Sequence, residues 1–451
     1  MTAAHRSLQS LAEQVVERAM AMGATAADAL VMESDSFSVQ VRLGEVENTT
    51  GARDKGLGLR VFQGDRSATA STSDFSPEGI ERFITDNCAL AKLTEADPYS
   101  GLPDDAGPAG DDTLELCDGG VTLSIDDRID LARRAEAAAT GADARITNSE
   151  GASFDSSVGE VAYARSNGFA GAYSVSSYGL SAVPVAEEED GGLQRDYWFT
   201  GSRHFSDLET PESVGENAAR RVLRRLGAKK VPTCEVPIIF ESDVAASLMS
   251  HLAGAVSGNA VYKGVSFLGD KLGEKIAAPG VTIIDDGCMP RALGSRPFDG
   301  EGVPVGRNVV VDDGVLKHFL LDTYSAKKLS MVTTGSAARG LGGTPSPGSS
   351  NFYLKPGEQS PEEIIRGTSR GLFVTELIGF GVNGVTGDYS RGAAGIWIEN
   401  GELTHPVEEV TISGNLLQMY QDIEAIGNDL VFRRRTVSPT VKIARMMLAG
   451  T

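Results

Sequence analysis

The chain has 451 residues, 41% hydrophobic and 23% charged, which leaves room for roughly two to four domains with ordinary globular composition. Acids outnumber bases, 62 against 41, for a net charge of −21. Such a surface repels phosphate backbones and anionic lipid, so nucleic acid and membrane are not expected as partners. The four cysteines, Cys88, Cys117, Cys234 and Cys288, are isolated and form no CxxC pair, so neither a disulfide framework nor a thiolate zinc site is expected.

The first element reads as an amphipathic helix, with Leu8, Leu11, Val15, Val16, Ala19 and Met20 at spacings of three and four. Glu13, Glu17 and Arg18 interrupt its apolar residues, so no signal-peptide core is expected. No apolar run reaches the roughly 18 residues needed to span a bilayer, and a cytoplasmic protein is the default. Phe37, Val39 and Val41 alternate with polar residues as in a strand, and Leu57 to Phe62 runs into the hairpin signal Gly64-Asp65. Ser76-Pro77 opens a second helix, which runs to about Lys92.

Glu95 to Gly120 mixes prolines, glycines and aspartates and reads as a solvated acidic loop. A helix is expected from Asp126 to Thr140, then short strands over 144–206. A further helix opens at Thr210-Pro211 and closes at Gly227. Its arginines Arg220, Arg221, Arg224 and Arg225 suit the C-terminal end of the helix dipole. Lys229 to Pro232 marks a boundary between a unit at 1–230 and a second at 231–451.

Beyond the boundary come a strand, Val236 to Phe240, and a helix capped by Ser242 that runs to about Val256. The remainder is Gly-rich and strand-rich, with a late helix over Asn415 to Ile426. The expected class is α+β: an N-terminal α/β region, then a largely antiparallel-β C-terminal domain with a few helices.

Several motif matches fail on context. Gly379 to Gly384 fits GxGxxG, but Val385-Thr-Gly-Asp388 is a poor helix start for a dinucleotide site. Gly367 to Gly371 fits GxSxG, but it leads from a helical stretch into a strand, the reverse of a nucleophile elbow. Ser325 to Lys328 fits SxxK without companion motifs. The acid pairs Asp285-Asp286 and Asp312-Asp313 precede glycines and read as turns. The five histidines, His5, His204, His251, His318 and His405, are scattered, so no local HExxH metal motif exists. His251 lies beside the apolar stripe of Val244, Leu248, Leu252 and Ala255, a setting that usually holds a half-buried structural histidine.

Four segments carry a family resemblance: Ser247 to Gly258, Ser266 to Glu274, Phe298-Asp-Gly-Glu-Gly302, and Gly379 to Gly392. With the tail Pro406 to Leu416, they make the chain resemble the TldD/PmbA family, and within it the PmbA (TldE) branch. The resemblance implies a partner subunit of TldD type, whose HExxxH helix and a later cysteine hold zinc while the Glu acts as general base. On the matching positions this chain has His251 for the first His, Leu252 for the Glu, Val256 for the second His and Asn383 for the Cys. Leucine takes no proton, valine ligates no metal, and one imidazole binds zinc too weakly. The expectation is a chain without catalytic residues or metal of its own. It would pair with a zinc-bearing TldD-type subunit, or form a homodimer in isolation, and act on unfolded or leader peptides bound by strand addition. Asn383, Asp388 and Arg391 are the polar members of the Gly-rich loop at 379–392 expected to face such a peptide. The alternatives are a standalone peptidase with ligands gathered from His318 or His405, and a regulatory protein of gyrase-modulator type.

Overall fold

The computed structural model describes residues 3–104, 112–119 and 121–450. The rest of the acidic loop expected at 95–120 lies outside them.

The first half builds one antiparallel sheet. α1 (Ala3–Ala21) leads into β1 (Ala26–Arg42), β2 (Glu45–Gln63) and β3 (Arg66–Thr72). α2 (Pro77–Ala91) starts where the Ser76 hydroxyl accepts the Gly79 N–H, with Pro77 at the first position. α3 (Ile125–Gly141) opens on a capping box between Ser124 and Asp127. β4 (Ile146–Arg165), β5 (Phe169–Glu187), β6 (Leu193–Arg195), β7 (Trp198–Ser202) and α4 (Pro211–Leu223) follow. The strand order is β3-β2-β1-β4-β5-β6, with β7 also on β5.

Both faces of this sheet are covered. Ala27, Ala29 and Val31 point to one face, where they join the core under α1 and α2; Val39 and Val41 pack under α3 and α4 farther along. Asp28 and Leu30 alternate to the other face, which the second half of the chain covers. There Leu30, Tyr163 and Phe169 pack on Phe298, and Asp28 pairs with Arg60 (2.9 Å) and Arg339. The Phe298 to Gly302 turn is part of this contact. Asp299 accepts the Glu301, Val303 and Ala337 N–H groups, and Glu301 lies 3.4 Å from Arg60.

The second half begins with β8 (Cys234–Phe240), α5 (Ser242–Ala255) and α6 (Gly258–Tyr262). β9 (Ile283–Asp286), β10 (Arg307–Asp312), β11 (Val315–Leu316), α7 (Thr323–Lys328), β12 (Ala337–Ala338), β13 (Ser346–Pro347) and β14 (Asn351–Leu354) come next. α8 (Pro361–Arg366), β15 (Arg370–Ile378), β16 (Asp388–Glu399), β17 (Glu402–Asn415), α9 (Leu416–Gln421), β18 (Ile423–Ile426), β19 (Thr436–Val437) and β20 (Val441–Ala449) complete it. Pairing runs β17-β16-β15-β8-β20 and returns from β20 to β17 at Thr411 to Ser413, closing a ring of strands. Among the named strands of the described residues, β8–β15 and β14–β19 are the parallel pairs. α5 packs into this half through Leu248, Met249, Leu252 and Ala255. The class is α+β, with the helix-rich layer in the first half.

Four local expectations need correction. The late helix ends at Gln421, and Ile423 to Ile426 form a strand on β20, a long-range pairing that helical periodicity cannot reveal. The Gly-rich loop ends at Gly387, so Asp388 and Arg391 belong to β16. The N-cap of α5 is Glu241, one residue before Ser242. Asp285 is no turn residue: it is buried in β9 and accepts the Ser350 N–H at 2.6 Å.

Candidate functional site

α5 is held from both ends. Glu241, at its N-cap, receives Arg221 (2.9 Å) and Arg224 (2.8 Å) from the end of α4. Burial works against the Glu241 charge, but Arg224 and Arg221 outweigh it and keep the carboxyl below its ordinary range. Arg225 reaches Glu376 on β15 at 2.6 Å. These arginines therefore do more than complement a helix dipole; they fasten α4 to the second half. In mid-helix the Tyr420 hydroxyl donates to the Leu248 carbonyl (2.8 Å), and at the far end the Ser266 hydroxyl donates to that of Ala255 (2.6 Å).

The faces of this rigid helix differ. Leu252 and Val256 are each 0% exposed and belong to the core. His251 is half-buried and lines a cavity of about 310 Å³ with Ser250, Gly254, Ala255, Val265, Phe267, Phe380, Val382, Gly384, Arg391 and Leu416. A second cavity of about 300 Å³ lies along the preceding turns of α5, at Asp243, Val244 and Ser247, where Val183, Asp196 and Tyr197 of the first half meet Glu376 and Leu377. Arg391 lines both, so the two lie side by side along α5 and are together called the groove.

The loop between β15 and β16 forms the groove's outer wall. Ser390 N–H donates to the Gly381 carbonyl (2.7 Å) and Phe267 N–H to that of Gly384 (3.1 Å). A side chain at position 381 would meet the Ser390 carbonyl oxygen at 1.9 Å, so glycine is required there for the close approach. Asn383 is exposed, and its side-chain oxygen is occupied by the Val385 N–H (2.9 Å) and Thr386 N–H (3.3 Å). It builds its own turn and does not line either cavity. Asp388 is exposed too and accepts the Thr386 hydroxyl at 2.6 Å. Of the three polar residues expected to face a peptide, only Arg391 lines the groove. Phe380, at the tip, is 100% exposed.

Tyr389 is the residue that sequence reasoning missed. Its ring meets His251 edge-on at 6.2 Å between centroids. Alternation along β16 turns Tyr389 and Arg391 to one face, a signal hidden by reading this segment as loop. Burial, then the Arg391 charge, lower the His251 pKa, so the ring is neutral near pH 7. Burial raises the Tyr389 pKa against the same arginine.

A zinc ion does not fit the residues present. One imidazole is the only nitrogen ligand in the cavity, no carboxylate or thiolate lines it, and the Arg391 guanidinium opposes a cation. Among the described residues no three His, Cys, Asp or Glu side chains gather as a metal site. His318 is exposed, and the His405 ring bonds the Thr404 hydroxyl at 3.1 Å.

An α+β chain whose halves meet along a groove beside one histidine-bearing helix has close counterparts. The PmbA/TldA metallopeptidase models match in three parts: domain 1 at residues 27–91, the central domain at 120–226 and the C-terminal domain at 233–450. The chain belongs to the PmbA/TldD metallopeptidase family. It is 41% identical over 425 residues to a protein named metalloprotease PmbA from Escherichia coli O157:H7, covering 94% of this chain and 92% of that one. A metalloprotease PmbA homolog from Haemophilus influenzae is 38% identical, covering 100% and 98%. The crystal structure of a candidate modulator of DNA gyrase from Bacteroides thetaiotaomicron superposes with a TM-score of 0.91 at 30% identity, covering 98% and 99%. None of the helices among the described residues is long and apolar enough to cross a membrane.

Proposed function

We propose that this chain is the non-catalytic subunit of a heterodimeric, zinc-dependent peptidase of TldD type, working in the cytoplasm on unfolded or leader peptides. The observation that carries this reading is the division of α5. His251 lines a cavity of about 310 Å³, while Leu252 and Val256, in the places of the general base and the second ligand, are core residues. The fully exposed Phe380 beside the groove mouth suits cover by a second subunit. Pairing of β15 with β8 stops at Val374, so Glu376 and Leu377, which line the second cavity, have β16 as their one strand partner among the described residues. This open edge supports the expected binding of an extended peptide by strand addition.

The test is to purify the chain alone and with a TldD-type subunit, then measure native mass, zinc content and peptide cleavage. The isolated chain is expected to carry no stoichiometric zinc and to cleave nothing, with activity appearing in the complex. Stoichiometric zinc in the isolated protein, with cleavage lost in His251→Ala, would sink the proposal. The gyrase-modulator name of one structural relative supports a second reading, a protein-binding regulator. The net charge of −21 disfavours DNA contact in that role, and capture of gyrase without any peptidase subunit would favour it.

A further inference from the structure

Two residues that line the cavity beside α5, His251 and Arg391, and Tyr389 behind them each keep a polar atom without a partner. His251 Nε2, Tyr389 Oη and Arg391 Nε are each shielded from solvent and make no hydrogen bond among the described residues. A buried donor or acceptor left unmade costs about 1–3 kcal/mol, and native structures keep few of them. Two of them belong to residues that line one cavity, which marks it as a place for a ligand. His251 and Arg391 line the space, and Tyr389 lies behind them against the His251 ring.

The chemistry of these groups narrows the ligand. A guanidinium only donates, and a neutral imidazole offers one N–H. No carboxylate lines this cavity, and Arg391 makes no ion pair among the described residues, although Asp196, Asp243 and Glu376 line the adjoining cavity. The site therefore calls for an anionic acceptor, and a carboxylate matches a guanidinium in shape and charge. The remaining wall is apolar, from Val265, Phe267, Phe380, Val382 and Leu416. A C-terminal residue presents a carboxylate and an apolar side chain from a single carbon. An Asp or Glu side chain brings the charge with nothing apolar beside it.

We infer that this cavity receives the free α-carboxylate of a peptide ending in an apolar residue, with the chain running back along α5 past Ser247 into the second cavity. The inference rests on the reading that the groove handles peptides. It adds an anchor for the peptide's C-terminal end.

The test is fluorescence anisotropy on the full chain alone, with three peptides dye-labelled at the N-terminus. One is Gly-Ser-Gly-Ala-Leu as the free acid, the second is its C-terminal amide, and the third is an amide with Glu before the last Leu. The free acid is expected to bind at least about tenfold more tightly than either amide, a difference of about 1.4 kcal/mol. Arg391→Gln should reduce the free acid to the affinity of its amide and leave the amide unchanged. Val265→Glu, which sets a like charge on the half-exposed wall, should do the same without touching the polar cluster. Melting curves matching the parent establish folding, and Val265→Glu decides if Arg391→Gln misfolds. Equal binding of acid and amide, no binding of any peptide, or an unchanged preference in a folded variant would overturn the inference. A Glu-containing amide that matches the free acid would also overturn it, by assigning the site to an acidic side chain. Zinc and partner subunit play no part in this readout, so its failure is distinct from failure of the peptidase-subunit reading.

Discussion

Asp28 of β1 and Arg339 of the second half form an ion pair in which both side chains are 0% exposed. Asp28 also takes Arg60 and the Tyr163 hydroxyl (3.2 Å). Burial acts to raise the Asp28 pKa, but Arg339 and Arg60 outweigh it and hold the carboxyl below its ordinary range. Asp28→Asn leaves two buried guanidinium groups short of a counter-charge. The expected loss is about 3–5 kcal/mol, the scale for breaking a buried pair, read from urea midpoints at pH 7. Because the folded pKa is depressed, this contribution is present above the unfolded value of about 3.9 and fades as pH falls through the folded one. The parent and Asp28→Asn curves should therefore converge in acid.

Asp285 behaves in the opposite sense. Burial pushes its carboxyl up to about 7, against the Ser350 N–H and the Arg296 charge. A carboxyl with a raised folded pKa favours the folded state fully below the unfolded value of about 3.9. That advantage is lost as pH rises through about 7. Asp285→Asn keeps an oxygen for Ser350 and removes the titration. Its stability relative to the parent should improve from pH 5 up to about pH 7 and level off above it, measured by denaturant midpoints. A constant difference across that range would show that Asp285 does not titrate there.

Restoring the residue types of a HExxxH helix should not restore a metal site. Leu252 and Val256 face the core, so Leu252→Glu with Val256→His buries a carboxylate and an imidazole among apolar side chains. The double variant should lose several kcal/mol and, where it folds, show no stoichiometric zinc by elemental analysis. Tight zinc binding by a folded double variant would mean that α5 can turn these positions to the groove.

His251 should titrate below the ordinary histidine value of about 6.5, because burial and then Arg391 disfavour its charged form. Arg391→Gln should move the titration upward, as followed by NMR of the ring protons. With its folded pKa lowered, His251 removes stability as pH falls below the unfolded value, and Arg391→Gln should soften that loss. No upward movement would separate the two residues electrostatically.

The capped helices were the most legible elements. Ser76-Pro77 and Thr210-Pro211 each open a helix at the expected place, because the cap is settled by bonds within a few residues. The hairpin at Gly64-Asp65 was equally plain. The late helix starts where expected but stops at Gln421, because Ile423 and Ile426 are drawn into a strand by Val441 to Ile443. Asp285-Asp286 read as a turn because burial by Ser350 and Asn351, some 65 residues away, leaves no local trace.

By itself, the sequence determined the α+β class, the helix starts, the scattering of the histidines and a resemblance dense enough to name a family. Each of these is written in neighbouring residues or short motifs. The apolar stripe of α5 already placed Leu252 inward, but only the tertiary structure decided that His251 lines a cavity and that Val256 is fully buried. It also set Asn383 aside as a turn-builder, drew Tyr389 to His251, and joined Asp28 to Arg339 across 311 residues of chain. These outcomes depend on which distant surfaces exclude water from a given face, and no local pattern of residues fixes that.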